Sequence, residues 1–333
     1  MAIDAGRGTW LIVGGDSEIG GSLLKRLAAA GRAALGTTRR RDQVGPGRVW
    51  LDLSELDEDW APPLHTTAAC LCAARSRLAD CAADPAGSWN VNVDQTAMLV
   101  ARLSELGIYT LLLSTNQVFD GTVPRVPPDA PVRPVSEYGR QKAAVEARVL
   151  GLATSGGAGT GILRLSRVLS TTTATTARWA SSLARGEPVT AFYDMVLAPV
   201  PIGLVAEAVQ HLMADTAGGI FQLSGPEDVS YAEFARALAA SFGHAPELVH
   251  EESAAAAADL PTGSCPRHTT LDSSELQRRY GLTVPKYSET ADQLARAIPP
   301  IGQMASSGGG TASAWACSMA EAALPKGTPA ASA

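Results

Sequence analysis

The sequence predicts an α/β fold, a doubly wound parallel sheet with a smaller mixed lobe toward the C-terminus. Two observations carry that expectation. Over the first 170 residues short apolar runs alternate with helical patterns, as βαβ units do. Beyond residue 170 the alternation stops and gives way to polar stretches and amphipathic helices. The runs are continuously apolar rather than apolar at every second residue, which is what strands buried on both faces of a parallel sheet require.

Taken in order, TWLIVGG (9–15) is a strand running into glycines, and IGGSLLKRLAAAG (19–31) is a helix that closes on Gly31. Further strands are expected at 33–39, 48–53, 68–74, 109–115 and 161–167, with helices at 87–106 and 139–151. The segment TTTATTARWASSLARG (171–186) starts as a weakly ordered threonine-rich stretch and then turns helical. Helices follow at 201–213 and 230–243. Ser230 and Glu233 form a capping box at the start of the last of these, and Gly243 ends it. These patterns divide the chain into a nucleotide-binding domain (1–170), a second lobe interleaved with the sheet (171–301) and a Gly/Ala/Ser-rich tail (302–333) expected to be disordered.

Composition narrows the function. A net charge of −6, with no dense Lys/Arg cluster, argues against nucleic acid as a partner. No apolar run approaches the roughly eighteen residues of a membrane span, and the N-terminus lacks the pattern of a secretion signal. Cysteines at 70, 72, 81, 265 and 317 have no metal-ligand spacing, so no metal site is expected. Cys70 and Cys72 read as buried thiols, and a reducing cytoplasm fits best.

VGGDSEIGG places a glycine-rich turn between a strand and a helix, the context in which a Rossmann-type sheet binds a dinucleotide. Gly14 provides the tight turn and Gly20 the close approach of helix to sheet, while the helix N-terminus faces a pyrophosphate. Ser17 or Glu18, depending on alignment, takes the place of the usual middle glycine. At the end of the second strand, where NAD sites carry an acidic residue, stands TTRRR. Arg39 or Arg40 can pair there with a 2′-phosphate, so NADP is expected over NAD. Asp52 and Leu53, after the third strand, are placed to meet the adenine edge.

SEYGRQK puts Tyr138 and Lys142 four apart, on one face of a helix. The preceding strand ends in Ser114 and Thr115, and ligands in such sheets bind at the carboxyl ends of strands. A hydroxyl pair there can meet a tyrosine arriving on the next helix.

With G-x-x-S-x-x-G at 14–20, STNQVFDG at 114–121 and PVSEYGRQK at 134–142, the chain resembles the extended short-chain dehydrogenase/reductase family. Within it the chain resembles the dTDP-4-dehydrorhamnose reductases and related sugar-nucleotide reductases, with weaker matches at 90–96, 220–239 and 267–276. The resemblance implies that Thr115 hydrogen-bonds a substrate carbonyl and that Tyr138 delivers a proton as hydride leaves the nicotinamide. Lys142, near the nicotinamide ribose, would lower the tyrosine pKa. It adds Ile19 and Ala73 to the cofactor contacts and Ser114, Asn116, Gln117 and Arg267 to the substrate contacts; His268 and a base stacked on Trp179 or Tyr193 are alternatives.

In related 4,6-dehydratases an Asp-Glu pair follows the threonine. Asn116 and Gln117 have no acid or base to offer, so dehydration of that kind is not expected. The implied function is NADP-dependent reduction of a 4-keto-6-deoxy sugar nucleotide. The alternatives are a sugar-nucleotide epimerase or a non-catalytic regulatory NAD(P)-binding subunit. The implied partners are a nucleoside-diphosphate sugar and a second copy of the chain in a homodimer.

Overall fold

A computed structural model describes residues 8–57, 59–153, 159–256 and 260–298; the Gly/Ala/Ser-rich tail lies outside the described residues. The strands are β1 (Thr9–Val13), β2 (Ala34–Thr38), β3 (Arg48–Trp50), β4 (Thr66–Leu71), β5 (Tyr109–Thr115), β6 (Thr160–Leu165), β7 (Arg167–Leu169), β8 (Val189–Phe192), β9 (Val196–Leu197), β10 (Pro199–Pro201), β11 (Gly219–Leu223), β12 (Val229–Ser230) and β13 (Val249–Glu252). The helices are α1 (Glu18–Ala29), α2 (Leu78–Ala83), α3 (Pro85–Trp89), α4 (Thr96–Glu105), α5 (Glu137–Ala153), α6 (Ala174–Ala184), α7 (Ile202–Ala214), α8 (Tyr231–Ser241), α9 (Ser274–Tyr280) and α10 (Tyr287–Arg296).

Seven strands form the central sheet in the order β11-β6-β5-β4-β1-β2-β3, and every neighbouring pair is parallel. Chain order reverses between β1 and β4, so the crevice for a ligand opens at the carboxyl ends of those two strands. Alternate residues of the strands feed two cores. Leu111, Leu113, Leu163 and Leu165 pack with α1 and α7 on one face; Leu112 and Ile162 pack with Val100, Leu103, Val145 and Val149 on the other. Both faces are therefore covered, and this is why the strands carry continuous apolar runs.

A third core gathers Leu169, Trp179, Leu183, Phe234, Leu238 and Leu294 beyond the sheet. The chain enters this region at Ser166. Its N–H donates to Leu223 O and its hydroxyl to Ala198 O at 2.6 Å. The strand expected at 161–167 thus breaks there, and β7 pairs with β10 instead of the central sheet. The chain later returns, since α7 and β11 both belong to the layers of the central sheet.

The helix expected at 87–106 also differs. It is α3, then a π-helical stretch over Asn90–Gln95, then α4. The wider turn carries Asn92 inward, where it is 2 % exposed. The capping box of α8 forms as expected, Glu233 N donating to Ser230 Oγ at 3.1 Å and Ser230 N to Glu233 Oε2 at 2.8 Å. Among the described residues no helix is long and apolar enough to cross a membrane.

Candidate active site

The glycine turn lies at the reversal point. Gly14 has φ +86°, and a Cβ there would stand 2.7 Å from Ala73 N, so only glycine lets β1 and β4 come this close. A Cβ on Gly20 would strike the carbonyl of Gly14. Ser17 takes the middle place and caps α1: its hydroxyl accepts from Gly20 N at 3.0 Å and donates to Gly14 O at 2.8 Å. The N–H groups of Glu18 and Ile19 have no protein partner among the described residues and remain open to an anion.

Glu18 turns aside, accepting from Ser170 Oγ at 3.0 Å and Thr173 Oγ1 at 2.9 Å. These bonds order the threonine-rich stretch that the sequence reads as weakly ordered. The residues fit a dinucleotide: a cradle that any Cβ would fill, and free N–H groups at a helix start.

Of the expected cofactor arginines, Arg39 is exposed, whereas Arg40 pairs with Asp16 at 3.2 Å. Asp52 caps a short turn, accepting from Ser54 N at 2.9 Å, and Leu53 is buried in the core beside Leu51. Cys70 is buried and Cys72 half-buried, their thiols 3.6 Å apart at the end of β4.

The tyrosine helix docks on the end of β5 backbone to backbone. Ser136 is buried and caps α5 by accepting from Gly139 N at 3.0 Å, and its hydroxyl donates to Gln117 Oε1 at 3.1 Å. A Cβ on Gly139 would run into the carbonyl of Gln117. Thr115 starts this turn, its hydroxyl accepting from Gln117 N at 3.2 Å and donating to Asn116 Oδ1 at 3.3 Å. Gln117 Nε2 donates to Gly263 O at 3.4 Å, so its amide clamps the loop that bears Arg267 and His268. Arg267 is exposed there. His268 is held by Asp228 at 3.0 Å, a carboxylate that also accepts from Thr269 and Thr270. Trp179 is a core residue whose indole N–H donates to Thr190 O, and Tyr193 is exposed. The Ser114 hydroxyl is buried on the α5 side of the sheet with no hydrogen-bond partner among the described residues.

Tyr138 and Lys142 share the inner face of α5, and neither side chain hydrogen-bonds to a protein group among the described residues. Burial pushes the Tyr138 phenol well above its usual range, with a smaller push from Cys81. Lys142 is 3 % exposed, and burial brings it down to about 8 against the opposing pull of Glu146 and then Cys72. Desolvation is the largest influence on the phenol, which is neutral at rest.

Sequence reasoning missed the groups that anchor the helix bearing these two. Asn92 donates to Gln141 Oε1 at 2.7 Å and to Arg75 O at 2.8 Å, tying the loop after β4 to α5. Gln141, fully buried, donates to Ser88 Oγ at 2.8 Å. Behind Lys142, Glu146 is paired with Arg164 of β6 at 2.7 Å.

This sheet, with a dinucleotide cradle at its reversal point and a tyrosine–lysine couple beside it, defines an NAD(P)-dependent oxidoreductase of the short-chain dehydrogenase/reductase type. The chain belongs to the family described as RmlD substrate binding domain, which matches residues 8–298. It is similar to the probable low-salt glycan biosynthesis reductase Agl14 of Haloferax volcanii, 28 % identical over 235 residues that cover 68 % of this chain and 76 % of the relative. It is also similar to dTDP-4-dehydrorhamnose reductase of Sinorhizobium fredii, 27 % identical over 226 residues covering 65 % and 75 %. The fold matches the crystal structure of Bacillus anthracis dTDP-4-dehydrorhamnose reductase in complex with NADP, with a TM-score of 0.73, 16 % identity and coverage of 89 % and 100 %.

Proposed function

We propose that the chain reduces the 4-keto group of a 4-keto-6-deoxy sugar nucleotide with NADPH. The observation that supports this reading is the docking of α5 on the turn after β5 through Ser136, Gln117 and Gly139, because α5 carries Tyr138 and that turn begins at Thr115. The nicotinamide supplies hydride when bound. Gly14, Ser17, Ile19, Gly20 and Ala73 hold the pyrophosphate end, Asp52 and Leu53 the adenine edge, Lys142 the nicotinamide ribose, and Arg39 with Arg40 the 2′-phosphate.

Thr115 turns its hydroxyl from Asn116 to the substrate carbonyl oxygen and orients it. Tyr138 donates its phenolic proton to that oxygen, and a phenol that is neutral at rest has the proton to give. The positive charge of Lys142 stabilises the tyrosinate left behind. Asn116 and Gln117 hold neither acid nor base and are engaged by neighbours, which disfavours dehydration. Arg267 clamps the diphosphate of the substrate, and Ser114, Asn116 and Gln117 shape the sugar pocket.

The test is NADPH oxidation by the purified protein with nucleoside-diphosphate 4-keto-6-deoxy sugars. Turnover that Tyr138→Phe abolishes is expected. No oxidation with any such ketosugar would reject the reading.

A further inference from the structure

Asp16 lies inside the glycine turn, between Gly14 and Ser17. Its carboxylate accepts from Thr38 Oγ1 at 2.6 Å, pairs with Arg40 at 3.2 Å and is gripped by Arg48. Burial raises its pKa, but the bonds from Thr38, Arg40 and Arg48 outweigh that and hold it below the usual carboxylate range. Arg40 is further fixed by its own N–H, which donates to Thr38 Oγ1 at 3.1 Å. An ionised carboxylate therefore stands over the end of β2. In dinucleotide sites an acidic group there reads a ribose hydroxyl. Here β2 itself ends in Thr38, and the carboxylate reaches the same place from the glycine turn.

We propose that Asp16 sets the choice between NADPH and NADH, by holding Arg40 and Arg48 against a 2′-phosphate and offering an acceptor to a 2′-hydroxyl. The inference rests on the dinucleotide reading given under Proposed function. A 2′-phosphate must take the guanidinium groups from Asp16 and sit beside its negative charge, whereas a free 2′-hydroxyl donates to the carboxylate without disturbing either pair. Arg39 is exposed and has no protein partner among the described residues, so it favours the phosphate unopposed. The arginine run and Asp16 thus act against each other, and the protein accepts both cofactors.

The test is titration of the full chain with NADPH and with NADH, followed by nicotinamide fluorescence, in Asp16→Asn, Asp16→Ser and Asp16→Glu. Loss of one charge-assisted contact corresponds to about tenfold. Both neutral variants are expected to move the ratio of dissociation constants toward NADPH by about that factor, with Asp16→Glu staying near the unaltered protein. Competition by 2′,5′-ADP should strengthen in step. If only one neutral variant folds, its comparison with Asp16→Glu decides. An unchanged ratio in the neutral variants, or an equal shift in Asp16→Glu, overturns the inference while leaving the dinucleotide site intact. Failure of the unaltered protein to bind either cofactor overturns the site and the inference together.

Discussion

Glu146 and Arg164 form an ion pair with 2.7 Å between Oε2 and Nη2, both side chains 3 % exposed, one helical turn beyond Lys142. Arg164 uses its whole fork: Nε also donates to Glu146, Nη1 donates to Pro128 O at 2.9 Å, and the guanidinium lies 5.0 Å from the Phe119 ring centroid. The arrangement gives α5 a fixed negative charge behind its lysine and anchors that charge to β6. It connects the packing of the sheet to the protonation of the couple.

The first consequence is a pH dependence. Burial outweighs Glu146 and brings Lys142 to about 8, so the tyrosinate support proposed for it is present below that pH and lost above it. The rate of ketone reduction is expected to fall as pH rises through about 8. Stability moves the other way. The folded value lies below the ordinary 10.5, so between the two the unfolded chain binds more protons and folding is favoured as pH rises. Glu146→Gln removes the opposing charge and should move the alkaline limb of the kcat/KM profile to lower pH. A limb that stays in place would mean that Glu146 does not act on Lys142.

Breaking the pair from its other end tests its energetics. Arg164→Met leaves a buried carboxylate without a partner and is expected to cost about 3–5 kcal/mol in urea unfolding. Adding Glu146→Leu removes the stranded charge, and most of the loss should return. Equal stability of the single and double variants would contradict this account.

Tyr138→Phe removes the proposed proton donor and nothing that packs. Reduction is expected to fall by about 10²–10⁴-fold, with NADPH binding and thermal stability preserved, as read by stopped assay, fluorescence titration and calorimetry on one preparation. Retention of most activity would move the acid to another group.

Much of the sheet is legible in the sequence because β1, β4 and β5 are continuous apolar runs. β11 is short, starts on Gly219 and buries Gln222 inside it, and periodicity does not reveal it as a sheet strand. The π stretch over Asn90–Gln95 is hidden for a different reason: an extra residue in a helical turn leaves no trace in composition. In the site, Tyr138 and Lys142 stand four apart and are visible together. Their supports are not, because Arg164 lies 18 residues from Glu146 and Arg48 lies 32 from Asp16. A charged residue whose partner is distant in sequence looks like surface until the fold brings the two together. Burial is hidden in the same way, since neighbours can be guessed from spacing but the desolvation acting on Tyr138 cannot.

Gly139 offers the sharpest test of how the couple is placed. Its missing side chain lets α5 approach the carbonyl of Gln117, and the atom in the way of a Cβ is backbone, which cannot swing aside as a side chain would. Gly139→Ala should therefore push the start of α5 away from the turn that presents Thr115. Alanine is about 1 kcal/mol better than glycine within a helix, so part of the strain is offset and the fold should survive. Catalysis by the proposed mechanism has no such compensation, because it requires Tyr138 to stay within hydrogen-bond reach of the same oxygen as Thr115. The expected result is a fall in kcat of about 10²-fold with a much smaller change in Tm. Ser136→Ala should do the reverse, losing a cap worth about 1 kcal/mol while leaving the backbone contact in place. Full activity in Gly139→Ala would show that the approach of α5 to Gln117 does not position the tyrosine.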